Sequence, residues 1–228
     1  MNIVVFTGAG ISAESGLKTF RGEDGLWEGY RVEDVATPEA WSRNPELVQD
    51  FYNIRRKAVR DAQPNDAHKA ITQLEEKFEV TVITQNIDDL HERAGSTNII
   101  HLHGLITKSQ SSLDPNLIYD IDGDQIKMGQ FCEKKSQLRP HVVWFGEPVP
   151  MMSFAIDACK TADTFLIIGT SLQVYPAAGL INYVQHQAEK ILIDPNAATL
   201  NQQNKMILNI PEKASAGVPK LVAKLLNR

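Results

Sequence analysis

The junction at which Asn2-Ile3-Val4-Val5-Phe6-Thr7 runs into Gly8-Ala9-Gly10-Ile11-Ser12-Ala13 constrains this chain more than any other feature. A short continuous apolar run of this kind is a strand buried on both faces of a parallel sheet. The G-x-G-x-x-A spacing that follows lets backbone approach a pyrophosphate at a helix N-terminus, so a dinucleotide is expected there. A glycine turn alone also serves any tight strand-to-helix connection, and the next residues carry the argument further. A Rossmann dehydrogenase passes through a helix into a second strand that ends in an acidic residue about 20 positions on. Here Glu14-Ser15-Gly16-Leu17-Lys18-Thr19-Phe20-Arg21-Gly22-Glu23-Asp24-Gly25-Leu26-Trp27 intervenes. The dinucleotide is therefore expected to serve a reaction other than hydride transfer.

Buried-type strands recur at Val80 to Thr84, Asn98 to Leu102, Thr164 to Ile168 and Lys190 to Ile193, with helical patterns between several of them. This is α/β grammar, a Rossmann-like doubly wound parallel sheet. Three strands run into polar or glycine-bearing loops, Gln85-Asn86-Ile87-Asp88, His103-Gly104 and Gly169-Thr170-Ser171. Ligands of open α/β sheets bind beyond the carboxyl ends of strands, so these loops are expected to share a crevice with Gly8-Ala9-Gly10. Asp34 to Gln63 is helical in pattern, with Thr37-Pro38 as a start and an amphipathic run from Pro45 to Val59. Leu105 to Pro140 is polar and rich in turn signals, and a short helix is expected from Val218 to Leu226. The expectation is one catalytic domain over 1–228: a Rossmann-like part at about 1–30, 64–104 and 141–228, and a small lobe inserted at about 31–63 and 105–140.

A net charge of −5 gives no global basic field for nonspecific nucleic-acid binding, and Lys134, Lys135 and Arg139 suggest a solvated face. Two cysteines, Cys132 and Cys159, make no disulfide framework and no C-x-x-C pair. No apolar run approaches the roughly 18 residues of a membrane span and no leader precedes the first strand, so a reducing cytoplasm is the expected compartment.

Gly8-Ala9-Gly10-Ile11-Ser12, Glu14-Ser15-Gly16 and Thr19-Phe20-Arg21 together resemble the signature of the sirtuins, NAD-dependent protein-lysine deacylases. Thr84-Gln85-Asn86-Ile87-Asp88 is similar to the family's T-Q-N-I-D pattern; the resemblance implies that Asn86 orients a ribose and Asp88 holds the carboxamide. His103-Gly104 matches the x-x-H-G segment and implies His103 as general base, a role that suits an imidazole titrating near neutrality. His101, at i−2, could be half of a metal pair, but no cysteine and no clear third ligand accompany it, and it is expected to be structural. Val142, Trp144, Phe145, Gly146 and Glu147 match V-x-W-F-G-E, which implies pairing with the substrate peptide by strand addition and a wall for the acyl-lysine. Gly169, Thr170, Ser171 and Val174 match G-T-S-x-x-V-x-P-A, implying ribose and phosphate contacts. Trp27, Gln85 and Ile87 complete the expected cofactor set. The resemblance is weaker at the adenine end, where Ile193-Asp194, followed by Pro195-Asn196, stands for the usual Ile-Asn strand end and Glu212-Lys213-Ala214-Ser215 for G-x-A-S; Asp194, Pro195, Asn196 and Ala214 are expected there.

The resemblance, which spans nearly the whole chain, implies acyl transfer to ADP-ribose: the acyl oxygen attacks the nicotinamide ribose, nicotinamide departs, and His103 deprotonates a ribose hydroxyl. Phe20 would cover the ribose and Arg21 position the cofactor. Two departures are specific. Most sirtuins carry two C-x-x-C pairs after the catalytic His, whereas Leu105 to Pro140 supplies only Cys132, so no structural zinc is expected. Tyr52 and Arg55, three apart on a helix, match the Y-x-x-R element of the desuccinylase and demalonylase class, where Arg pairs a carboxylate end and Tyr adds a hydroxyl. Expected substrates are acetyl, succinyl and malonyl lysines of proteins, with no nucleic acid and no membrane as partner. Two alternatives stand at this point, a protein ADP-ribosyltransferase and a non-catalytic NAD-sensing module.

Overall fold

The computed structural model describes residues 1–18, 27, 29–200 and 206–228. The first half holds β1 (Asn2–Thr7), α1 (Ala9–Ala13), α2 (Val32–Val35), α3 (Pro38–Arg43), α4 (Pro45–Asp61), α5 (Asp66–Gln73), β2 (Glu79–Thr84), α6 (Leu90–Ala94) and β3 (Ile99–His101). The second holds β4 (Gly104–Ser111), β5 (Ile118–Asp120), β6 (Leu138–Val142), α7 (Met152–Lys160), β7 (Thr164–Ile168), β8 (Glu189–Ile193), α8 (Ala197–Leu200), β9 (Ile207–Ile210) and α9 (Ala214–Leu226).

Six parallel strands form one sheet in the order β3-β2-β1-β7-β8-β9. The pleat sends successive residues of β1 to opposite faces. Ile3 and Val5 join Ala67, Ile71, Val218 and Leu221 of α5 and α9, while Val4 and Phe6 join Ala155, Cys159 and Leu180 on the other side. Both faces are thus covered, and the doubly wound α/β expectation is met. The carboxyl ends are level: Thr7 pairs in register with Thr84 and Ile168, Thr84 with His101, and Ile168 with Ile193. Chain order reverses between β1 and β7, which puts the topological switch point after Thr7 and Ile168.

A second sheet, β5-β4-β6, is antiparallel. Helices α2 to α4 pack on it through Val35, Phe51, Tyr52, Ile106, Val142 and Trp144. Thr37 and Asn44 cap α3 and α4 by accepting from Ala40 and Leu47 N–H, each with Pro as the first helical residue. Arg56 of α4, fully buried, donates through Nε to Ile106 O at 2.6 Å and through Nη1 to Asn53 Oδ1 at 2.6 Å and Asp124 O at 3.2 Å. Burial brings its guanidinium down to about 10, still a cation at neutral pH.

The structure departs from the expected elements in three places. The polar segment after Gly104 opens with an eight-residue strand, β4, rather than a loop. No sequence pattern announces β9, Ile207–Ile210, which adds a sixth strand beside β8. Helix α9 begins at Ala214, a turn before the expected Val218, with Pro219 inside it; there Gly217 lies so close to Ile193 that a Cβ would meet Ile193 Cγ2 at 2.7 Å.

Gly169 has φ +61°, and a Cβ on it would overlap Ile11 N. Gly169→Ala is expected to cost on the order of 2–4 kcal/mol, since strain adds to backbone overlap. Differential scanning calorimetry should show Tm falling by roughly 5–15 °C. Gly129→Ala, at φ +89° with nothing within 4 Å, should cost only about 1–2 kcal/mol.

Candidate active site

At the switch point the two glycine loops are tied backbone to backbone. Gly8 N donates to Ile168 O at 3.0 Å, Gly10 N to Gly169 O at 2.8 Å, and Gly169 N to Ile193 O at 3.0 Å. Cβ atoms on Gly8 or Gly10 would stand 2.7 Å from Thr170 Cβ or Gly169 Cα. Ala9 and Gly10 stay half-exposed at the crevice, while Ile11 is buried in the core. The loop after β2 closes the same crevice: Gln85 N donates to Thr7 O at 3.0 Å and Gln85 Nε2 to Thr170 Oγ1 at 3.1 Å.

Asn86 and Asp88 are buried beside Ser12. Asn86 Nδ2 donates to Gly8 O and Ser12 Oγ, both at 3.1 Å, and Ser12 Oγ donates to Asp88 Oδ2 at 2.9 Å. With both amide hydrogens committed, Asn86 Oδ1 is a fixed acceptor with no hydrogen bond to the described residues. Burial raises the Asp88 carboxyl above its usual range, against the lowering effect of Leu90 N–H, Ser12 and the neighbouring His101.

Behind this loop Asn86 N donates to Thr84 Oγ1, which accepts also from Thr7 Oγ1 at 2.9 Å; Thr7 Oγ1 lies 3.1 Å from His91 Nε2. His91 packs edge-on to His68 with ring centres 4.9 Å apart. Burial holds both imidazoles neutral, His68 down to about 4.

His103 Nδ1 is 2.9 Å from Gln85 O. A carbonyl only accepts, so Nδ1 carries the proton and Nε2 keeps its lone pair. Burial lowers His103 below the ordinary histidine value, outweighing the Gln85 hydrogen bond, and the ring is neutral at pH 7. His101 contacts Glu92 Oε1 through Nε2 at 2.5 Å and Asn86 O through Nδ1 at 3.4 Å, so both ring nitrogens have protein partners.

Val143 N donates to His103 O at 2.9 Å, joining the 142–147 segment to the histidine strand. Val142 and Trp144 are buried with Tyr52; Phe145 and Gly146 are exposed. Arg139, expected on a solvated face, is instead buried: it pairs with both Glu147 oxygens at 2.8 and 2.9 Å, donates to Val142 O, and stacks 3.5 Å from the Trp144 ring centre. Glu147 also accepts from Trp144 N at 2.7 Å, so its carboxylate is engaged in shaping this segment. Only the ion pair's geometry reveals this, because an eight-residue gap between Arg and Glu has no helical or strand period.

Arg55 lies on α4 with its guanidinium carbon 4.4 Å from the Trp27 ring centre. Trp27, expected with the cofactor loops, packs edge-on against Phe51 and Tyr52 in the core of the small lobe. Tyr52 is fully buried, and neither its hydroxyl nor the nearby Trp144 Nε1 makes a well-formed hydrogen bond. Burial pushes the Tyr52 phenol far up, so it remains a neutral donor.

Ser171 and Val174 lie on the 169–176 loop, and Asp194, Pro195 and Asn196 at the end of β8, where Asp194 Oδ1 accepts from Asn196 N at 2.8 Å. Ala214 is buried in the core at the start of α9. Glu14 is turned to the same helix start and accepts from Ser215 N at 3.0 Å and Ser215 Oγ at 2.7 Å. Ser215 is not among the expected residues, although the G-x-A-S match contains the signal. Ile87 is half-buried against the core of the small lobe. Thr19, Phe20 and Arg21 lie outside the described residues.

The Sir2 family profile matches residues 8–176. A Helicobacter pylori protein named "NAD-dependent protein deacylase" is 50% identical over 226 residues, 99% of this chain and 97% of that protein. A Bacteroides thetaiotaomicron protein of the same name is 50% identical over 230 residues, covering 99% and 98%. A crystal structure of a Sir2 homologue with NAD superposes with a TM-score of 0.87 at 40% identity, covering 99% of this chain and 90% of that one. A Sir2 complex with a p53 peptide and NAD+ superposes at 0.77 with 27% identity, covering 99% and 94%. With half of its residues shared along its whole length, the chain belongs to the Sir2 family. Its named relatives in that family are NAD-dependent protein deacylases.

The histidine pair behind Asn86 has a consequence for pH. Unfolded, His68 takes a proton near 6.5; folded, only near 4. The stability that its neutral burial contributes is full above pH 6.5 and is lost as pH falls towards 4, by about 2–3 kcal/mol. Urea unfolding at pH 7 and pH 4.5 should show this loss, and His68→Gln should flatten it.

Proposed function

We propose that this chain removes acyl groups from protein lysines with NAD, and that the crevice between the two glycine loops is where it does so. The observation that carries the reading is the pairing of a fixed acceptor, Asn86 Oδ1, with a neutral imidazole, His103, whose proton is held on the far nitrogen by Gln85 O. A binding-only module has no use for a base kept neutral at pH 7. The residues fit NAD: glycine backbone at the switch point can approach a pyrophosphate, and Ser12, Asn86 and Asp88 form a buried polar end to the pocket. When bound, NAD supplies the ribose carbon that takes the acyl oxygen and the nicotinamide that leaves. Asn86 Oδ1 orients the ribose by accepting from a hydroxyl, Asp88 accepts from the carboxamide, and His103 Nε2 removes a ribose hydroxyl proton. Val142 to Glu147 pairs with the peptide, its shape fixed by Arg139. Phe20 and Arg21 cover and position the cofactor, and Gly169, Thr170, Ser171, Val174, Asp194, Pro195, Asn196 and Ala214 line its ribose and adenine side.

The acyl preference extends to succinyl and malonyl lysine. Arg55 and the Tyr52 hydroxyl share one buried face of α4, and a buried phenol without a well-formed hydrogen bond fits an acceptor brought in by substrate. A carboxylate answers both groups, whereas an acetyl methyl answers neither.

The small lobe does not fit a zinc ion. Cys132 is its sole thiol and donates to Ser111 Oγ at 3.3 Å; around it Ser112 and Ser136 hydrogen-bond at 2.6 Å and Asp114 pairs with Lys134. One thiol among hydroxyls is no tetrahedral site. We place the enzyme in the cytoplasm, on the strength of its two unpaired cysteines.

Mass spectrometry of acetyl, succinyl and malonyl peptides, with and without NAD, tests the activity. Deacylation should require NAD and fall by about 10²–10⁴-fold in His103→Ala. Arg55→Met should lower kcat/KM for succinyl peptide by roughly 10–150-fold, the value of about 1.5–3 kcal/mol for a hydrogen bond to charge, and leave acetyl peptide nearly unchanged. Equal losses on both would withdraw the acyl assignment. Elemental analysis of untagged protein should find well under one zinc per chain, and chelator should leave Tm and turnover unaltered.

A further inference from the structure

Two imidazoles two residues apart grip consecutive carbonyls of the loop after β2: His103 holds Gln85 O and His101 holds Asn86 O. Their other nitrogens differ. His103 Nε2 has no hydrogen bond to the described residues, whereas His101 Nε2 lies 2.5 Å from a carboxylate oxygen of Glu92. Both partners of His101, a backbone carbonyl and a carboxylate, can only accept, and only an imidazolium can donate to both. Neutral imidazole would leave one of them unanswered.

Each element around His101 contributes an ionisable group. Helix α6 brings Glu92 and His91, the 85–89 loop brings Asp88, and β6 brings His141. Burial keeps His91 and His141 below the usual histidine range, so both are neutral beside it. Burial opposes the charge of His101 as well, but the hydrogen bond and charge of Glu92, with Asn86 O and Asp88, raise it above the ordinary value. The influence is mutual, because the His101 charge lowers Asp88, which burial alone would push towards the neutral acid. Environment thus moves the proton affinities of two neighbouring histidines in opposite directions, the pattern by which acid and base roles are divided at one pH.

We infer that His101 is a positioning residue that acts as an imidazolium, pinned by Glu92, to hold the Asn86 carbonyl and to keep Asp88 a carboxylate in the cofactor pocket. This rests on the reading that Asn86 and Asp88 contact NAD. Its consequence is a second proton requirement on the cofactor side: His103 must have lost its proton and His101 must have kept its own. The dependence of kcat/KM for NAD on pH is then bell-shaped. The acid limb belongs to His103, and activity is lost on the alkaline side as pH rises through the titration of His101.

The test is the pH profile of kcat/KM for NAD on an acetyl peptide, for the wild type, Glu92→Gln and His101→Gln. Glu92→Gln should shift the alkaline limb to lower pH, since the anion that raises His101 is gone. His101→Gln should abolish that limb, raise KM for NAD by about tenfold, and change kcat by less than about threefold. Glu92 is partly exposed, so its variant reports even if His101→Gln does not fold. NMR titration of imidazole-labelled wild type should show His101 charged at pH 7 and its titration point lowered in Glu92→Gln. An alkaline limb at the same pH in both variants, or a neutral His101 at pH 7, would overturn the inference. Asn86→Ala and Asp88→Asn separate the two readings: wild-type KM for NAD in both removes the site assignment itself. A raised KM there, with an unmoved limb in the His101 and Glu92 variants, defeats only the role of His101.

Discussion

Everything at the carboxyl edge of the large sheet depends on how closely two pieces of backbone approach each other. Gly10 N reaches Gly169 O at 2.8 Å, and neither loop has space for a Cβ at that crossing. The constraint is steric before it is chemical. Because the strands end level, the crossing fixes where the loops after β2, β3 and β8 begin, and short side chains need no long excursions to converge. Ser12 is thereby set within 3.1 Å of Asn86 and 2.9 Å of Asp88, although 74 and 76 residues separate them in the chain.

Within that frame, burial sorts the ionisable groups by what accompanies them. Among the described residues no carboxylate answers the dehydrated His68, His91 and His103, and all lose proton affinity; His101, dehydrated alike, meets Glu92 and gains it. The same division holds in the small lobe. Both Glu147 oxygens meet the buried Arg139 guanidinium, whereas Arg56 has backbone and amide oxygens as its close acceptors, and burial lowers its proton affinity. Desolvation is common to all of them, and the partner decides the sign.

Five of the six strands of the large sheet are legible in the chain because they are written as short apolar runs; β9, half-exposed at the edge, is not. The loops that follow them are legible because glycine and amide residues sit where those runs stop. The small sheet is not. In β4, Ser109, Gln110 and Ser111 are as buried as core residues, but they are satisfied through hydrogen bonds, so no alternation marks them as strand. Pro140 within β6 likewise argues for a break; β6 is an edge strand, where a missing N–H costs no ladder bond. The start of α9 is misread for a related reason, since Pro219 imitates a first helical residue while standing in the second turn. Arg139 is misjudged beside two lysines because composition cannot distinguish a solvated cation from one with a carboxylate eight residues ahead.

The anchoring of α4 by Arg56 separates two duties that a shorter helix would have to combine. One stretch of this helix carries both the residue that locks it to Ile106 and Asp124 and the two that pack against Trp27, namely Tyr52 and Arg55. Polar attachment runs through Arg56 to backbone oxygens, which every sequence possesses, whereas Tyr52 and Arg55 pack against Trp27. Side chains around Trp27 can therefore change while the polar attachment of the helix is kept. A scaffold so divided can diversify what it accepts while its catalytic edge stays as it is.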